Sequence, residues 1–175
     1  MTTPRSKTSA LITATYNDRV AHSNPSDNTL KQLLTDATTI AMVGASSNPD
    51  KASYGIMQKL QNVGYRVIPV NPRYDKILGE RCHPTLATIE IPVDIVDVFR
   101  RSEDVMPIAE EAIAIGAKCL WQQIGVRNGA AAALAASAGL EVVMNRCVKI
   151  EHGRLFGGLN WAGVNTGVIS ARRPV

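Results

Sequence analysis

Five short apolar runs constrain this chain more than any other feature: Ile40–Val43, Arg66–Val70, Ile95–Phe99, Cys119–Gln122 and Glu141–Met144. Each is almost unbroken in its hydrophobicity, the pattern of strands covered on both faces rather than wet on one. Amphipathic stretches between them supply the covering layers. Between Ser53 and Val63, Tyr54, Met57, Leu60 and Gln61 recur at helical spacing, with Ser53 as N-cap and Gly64 as terminator. A second helix is expected from Ser102 to Ile115, opened by Glu103 and Asp104 against its positive dipole end and closed at Gly116. A third is expected from Asn128 to Ala138, before Gly139. The alternation predicts an α/β fold: one doubly wound, Rossmann-like parallel sheet of five strands with flanking helices, in the order 3-2-1-4-5. Only Asn71 to Val93, broken by Pro72, Gly79, Pro84 and Pro92, lacks a helical period and is expected to cross over irregularly.

At 175 residues the chain is expected to hold a single domain, residues 28–156, between a polar tail (1–27) and a C-terminal arm (157–175) that carries Gly157, Gly158 and Trp161. A short helix with Leu30, Leu33 and Leu34 on its inner face, capped by Asp27 or Asn28, is expected to open the domain. The tail has no continuous apolar stretch resembling a signal peptide, and no segment reaches transmembrane length. Three widely spaced cysteines, Cys82, Cys119 and Cys147, form no secreted-type disulfide framework, so a reducing cytoplasmic setting is expected. The net charge of +4 is scattered and only 5% of residues are aromatic. That argues against a nucleic-acid groove and for a small anionic ligand. His22, His83 and His152 show no metal-ligand spacing.

The most informative segment is Gly44-Ala45-Ser46-Ser47-Asn48-Pro49-Asp50-Lys51-Ala52-Ser53-Tyr54-Gly55, which joins the first strand to a helix. Gly44 permits a sharp exit, Ser46 and Ser47 offer hydroxyls, and free amides at the helix start suit a phosphate. Lys51 stands where a helix dipole disfavours a cation unless an anion joins it. The segment is not G-x-G-x-x-G, and the second strand ends in Val70-Asn71-Pro72-Arg73, without the acid that would bind an NAD ribose. Arg73 suits a phosphorylated ribose, which leaves NADP and coenzyme A both open.

The series GASSNPDKASYG, LQNVGYRVIPVNP, VDIVDVFRRSEDV, LWQQIGV and NRCVKIEH, over residues 28–156, resembles the small CoA-binding proteins related to the N-terminal domain of the succinyl-CoA synthetase α subunit. The resemblance implies coenzyme A or an acyl-CoA as ligand. It implies that Gly44, Ala45, Ser46, Ser47 and Lys51 wrap the diphosphate, with Ser53, Tyr54 and Gly55 at the helix start. Asn71, Pro72 and Arg73 would meet the adenosine, while Phe99, Arg100, Arg101, Gln122, Ile124 and Gly125 would complete the wall. It carries over no phosphohistidine, and His152 does not take that part.

Asp94, Asp97, Glu110 and Glu111 supply acids, but no spaced carboxylate pair with a base and nucleophile emerges, so the expected role is non-catalytic binding. The alternatives are an NADP-dependent oxidoreductase and a CoA-binding ligase subunit working with a partner; a homo-oligomer also fits. Cys147, flanked by Arg146 and Lys149, is either a thiol of lowered pKa near the ligand edge or a small buried side chain.

Overall fold

The computed structural model describes residues 21–157. The elements run α1 (Asp27–Asp36), β1 (Thr39–Val43), α2 (Ala52–Asn62), β2 (Arg66–Val70), β3 (Lys76–Ile77), β4 (Glu80–Arg81), β5 (Ile95–Val98), α3 (Val105–Ala114), β6 (Cys119–Gln122), α4 (Gly129–Ser137), β7 (Glu141–Met144) and α5 (Val148–Phe156). Five strands form one parallel sheet in the order β2-β1-β5-β6-β7, and β3 pairs with β4 in a small antiparallel hairpin.

The order corrects the sequence expectation. Counted along the chain it is 2-1-3-4-5, so the third main strand lies beside β1 on the side away from β2. Pro69 explains why β2 belongs at the edge. It has no N–H to offer a strand on its outer side, and its carbonyl instead accepts from the His83 amide at 2.9 Å. The crossover through the β3–β4 hairpin and a 3-10 turn at Leu86–Thr88 then carries the chain back to pair with β1. The switch of direction falls between β1 and β5, and the crevice outside their carboxyl ends is where a doubly wound sheet takes its ligand.

Alternation along the strands divides the core. Ile40, Met42, Ile95 and Trp121 pack with Leu30, Leu34, Met57, Leu60, Val148 and Leu155 under α1, α2 and α5. Ala41, Val43, Val96 and Val98 pack with Val105, Ala109, Ala112, Ala131 and Ala135 under α3 and α4. Each large side chain buried in these layers contributes about 1.5–3 kcal/mol. The alanine-rich inner face of α4 brings its backbone close to the sheet. Trp121 is fully buried, and its indole N–H donates to the Arg146 carbonyl at 2.7 Å, which draws the head of α5 onto the sheet.

Helix boundaries follow the expectations within a few residues. Ser26, not Asp27 or Asn28, caps α1 by accepting from the Thr29 amide. Asn128 caps α4 through the Ala131 amide. A 3-10 turn at Ser102–Asp104 precedes α3. The arm expected beyond Phe156 and the tail before Ala21 lie outside the described residues, as does Trp161. Among the described residues, no helix is long and apolar enough to cross a membrane.

Candidate functional site

Loop exits at the carboxyl edge of the sheet build the cleft. Gly44 leaves β1 at φ 88°. Its amide bonds the Val70 carbonyl at 2.9 Å, and the Phe99 amide bonds the Val43 carbonyl at 2.8 Å. A Cβ on Gly44 would stand 2.4 Å from the Phe99 carbonyl oxygen. Conformation and contact therefore both demand glycine here.

Ala45 is fully buried, and its carbonyl accepts from Asn71 Nδ2 at 2.8 Å. Asn71 Oδ1 accepts from the Arg73 amide at 3.1 Å. The buried Asn71 side chain thus fastens the exit of β2 to that of β1 and fixes the backbone from which Arg73 springs. Beyond Ala45, Ser46 Oγ accepts from the Asn48 amide at 3.1 Å and Asn48 Oδ1 from the Asp50 amide at 2.9 Å. These side-chain turns replace the glycines of a dinucleotide loop. At their end Lys51, not Ser53, occupies the N-cap of α2, and no side chain caps that helix. Ser53 is buried within the first turn.

The resulting cleft encloses about 390 Å³, with Gly44, Ser46, Lys51, Ala52 and Ser53 on one side and Asn71, Arg73, Tyr74, Phe99 and Arg100 on the other. Among the described residues, none of Lys51, Arg73 and Arg100 lies within ion-pair distance of a carboxylate. The cleft therefore gathers three uncompensated cations beside an uncapped helix head, an arrangement that favours a multiply charged anion. That donor set fits the phosphates of a phosphorylated nucleotide.

Tyr74 escaped the sequence reading. Its hydroxyl sits 3.3 Å from Ser46 Oγ. Hydrogen bonding with Ser46 and then Ser47 holds the phenol below its usual pKa, with Arg73 and Lys51 adding to the effect. The ring packs on the core and bridges the two halves of the cleft. Its place directly after Asn-Pro-Arg was the signal available.

Other expected residues are placed differently. Ser47, Pro72 and Gly55 are exposed beside the cleft, and a Cβ on Gly55 would meet nothing. Tyr54 is half-buried against the core. Arg101 is exposed with its guanidinium 4.0 Å from Glu103, so only Arg100 of that pair lines the cleft. Gln122 faces inward. It is wholly buried and spends its amide on Asn128, accepting from the backbone N–H at 2.7 Å and donating to the carbonyl at 3.1 Å. It organises the β6–α4 loop and offers nothing to a ligand. Ile124 and Gly125 lie in that loop outside the cleft lining, with the Gly125 amide bonded to Asn145 Oδ1. Cys147 is buried, and burial raises its thiol pKa despite the neighbouring Lys149; the activated-thiol expectation is not met.

A larger hollow of about 650 Å³ opens at the opposite, amino-terminal edge of the sheet, along α1. Its Lys118 already pairs with Asp94 at 2.8 Å. No cluster of free cations lines it.

The family assignment rests on sequence matching: the CoA binding domain matches residues 38–153 of this chain, from the residue before β1 to within α5. The chain belongs to this CoA-binding domain family. An uncharacterised protein of Bacillus subtilis, YneT, is 40% identical over 129 residues, covering 74% of this chain and 96% of YneT. A hypothetical protein from Pyrococcus horikoshii, of solved structure, is 38% identical with a TM-score of 0.74, and the match covers 78% of this chain and 99% of that one. An ADP-forming acetate–CoA ligase of Methanocaldococcus jannaschii is 30% identical over 80 residues, 46% of this chain but only 11% of the ligase. This chain thus matches nearly the whole of two small proteins and a minor fraction of a much longer ligase.

Proposed function

We propose that this protein binds coenzyme A or an acyl-CoA without transforming it, with the ligand's phosphates in the 390 Å³ cleft. The observation that carries the reading is the convergence of Lys51, Arg73 and Arg100, none of them paired with an acid among the described residues, around the uncapped head of α2. Lys51 and the amides at the α2 head would hold the diphosphate, with the Ser46 hydroxyl beside them. Arg73, on the exit of β2, would meet the phosphate on the adenosine ribose, and Arg100 would close the far wall. Asn71 contributes by fastening the two loops rather than by touching ligand. Among the described residues no carboxylate, histidine or thiol lines the cleft, which supports a carrier or sensor role over chemistry. The kinship with ADP-forming ligases supports a second reading, a CoA-presenting subunit that works only with a partner.

The test is calorimetric titration with coenzyme A, dephospho-CoA and NADP, repeated on Lys51→Ala and Arg73→Ala. Micromolar binding, about −8 kcal/mol, is expected for coenzyme A. Dephospho-CoA should bind more weakly, and Arg73→Ala should remove that difference. Binding of NADP in preference to coenzyme A overturns the ligand assignment. Co-purification of a larger nucleotide-binding subunit favours the second reading.

A further inference from the structure

Asp97, on β5, is a buried acid that the proposed site does not use and that no cation pairs with among the described residues. It is wholly buried. Strand alternation puts it on the same face as Ile95, between Met42 of β1 and Trp121 of β6. Gln123, 3% exposed, follows β6 and donates from Nε2 to Asp97 Oδ1 at 2.7 Å. Two atoms are then left over: Asp97 Oδ2 and Gln123 Oε1 have no hydrogen-bond partner among the described residues. Both are acceptors when the acid is ionised, so neither can satisfy the other, and each orphan costs stability.

We infer that Asp97 is held as a neutral carboxylic acid paired reciprocally with Gln123, and that this pair fixes the exits of β5 and β6 from which the cleft wall departs. One proton on Oδ2 turns an acceptor into a donor, the kind of partner that the Gln123 Oε1 acceptor lacks. A single added hydrogen thereby accounts for both leftover atoms. The same residues sit at the point of departure: Phe99 and Arg100 follow Asp97 by two and three positions, and the Gln123 carbonyl closes the next turn by accepting from the Val126 amide at 2.8 Å.

The surroundings agree. The titratable groups facing Asp97 are Cys119 of β6 and Cys147 before α5, thiols whose pKa burial raises. The inner face of α2 presents Ile56, Met57 and Leu60, and no cation lowers the acid. Burial accordingly drives the carboxyl up to about 8, opposed only by the Gln123 bond. A buried acid kept neutral can donate a hydrogen bond that an ionised one cannot.

Asparagine tests this directly, because its Nδ2 donates as the protonated acid would. In the unfolded chain Asp97 ionises near pH 4, and in the folded chain near pH 8. Between those values the unfolded state holds fewer protons, so wild type loses stability as pH rises while Asp97→Asn does not. The folding equilibrium of Asp97→Asn relative to wild type should therefore grow about tenfold per pH unit from about pH 4 to about pH 8 and stay constant above. Carbon NMR of the wild-type Asp97 carboxyl should report the protonated form at pH 7. An ionised carboxyl at pH 7, or a stability ratio independent of pH, overturns the inference. The positioning role rests on the coenzyme A reading: affinity for coenzyme A should fall above pH 8 in wild type and hold in Asp97→Asn. An equal fall in both chains removes that role. The NMR and stability measurements decide the proton independently of whether coenzyme A binds.

Discussion

The two edges of the sheet treat charge in opposite ways. At the amino-terminal edge, Asp94 accepts from the Thr38 amide and hydroxyl, from the Thr39 amide and from Lys118. Burial opposes its ionisation, but Lys118 and the threonine bonds outweigh it and bring the carboxyl to about 2. That aspartate stitches together the starts of β1, β5 and β6. At the carboxyl edge, three positions along the chain, Asp97 bonds Gln123 alone among the described residues, and the cleft above it collects cations with no counter-charge among them. Where every charge is answered from within, the structure is scaffold. Where charge is left unanswered, the protein keeps capacity for something it does not itself contain.

Substitutions at four positions test this division, in descending order of effect. Gly44→Ala should cost about 3 kcal/mol, through strain at positive φ and collision with the Phe99 carbonyl, and should abolish coenzyme A binding; thermal melts and calorimetry read both. Asp94→Ala should cost about 2 kcal/mol by orphaning the Thr38 and Thr39 amides while leaving affinity unchanged. Since the Asp94 pKa is depressed in the folded state, its stabilisation is present above about pH 4 and is lost as pH falls toward 2. Acid unfolding of Asp94→Asn should therefore be less steep there than that of wild type. Lys51→Ala should do the reverse of Asp94→Ala, lowering coenzyme A affinity about tenfold, or ~1.5 kcal/mol for a charge-assisted contact, with Tm unchanged or slightly raised. A marked loss of stability in Lys51→Ala would show that the carboxyl edge is scaffold too. Tyr74→Phe should have the smallest effect, about twofold in affinity, since the ring still packs and only the hydroxyl's bonding with Ser46 and Ser47 is lost.

The scaffold was more legible in sequence than the site. Strands buried on both faces advertise themselves as unbroken apolar runs, and all five main strands lie where those runs are. Strand order was missed although Pro69 carried the clue: a residue without an N–H sits poorly in the interior of a sheet. Helix α5 was also missed. Its buried residues Val148, Glu151 and Leu155 include a glutamate, whose burial depends on Arg146 and Arg154 arriving at 3.4 and 2.6 Å. No local pattern announces partners of that kind. At the carboxyl edge, Gly44, Ser46, Lys51, Arg73 and Arg100, singled out in the sequence because their chemistry is local to a turn, do line one cleft. The bonding of Gln122 to Asn128 was not legible because a polar residue at a strand end looks the same in sequence whether it meets a ligand or its own backbone.

The segment ahead of α1 has a role that its composition conceals. His22 Nε2 donates to the Val142 carbonyl at 3.0 Å, while Asn24 receives the Met144 amide at 2.7 Å and donates to its carbonyl at 3.0 Å. Two side chains thus occupy the hydrogen-bonding rim of β7, the outermost strand of the main sheet on that side. A chain trimmed to start at residue 28 would keep every cleft residue and still expose a bare strand border, a template on which a second copy can add its own strand. His22 and Asn24 act as a selvedge: they finish the fabric at β7.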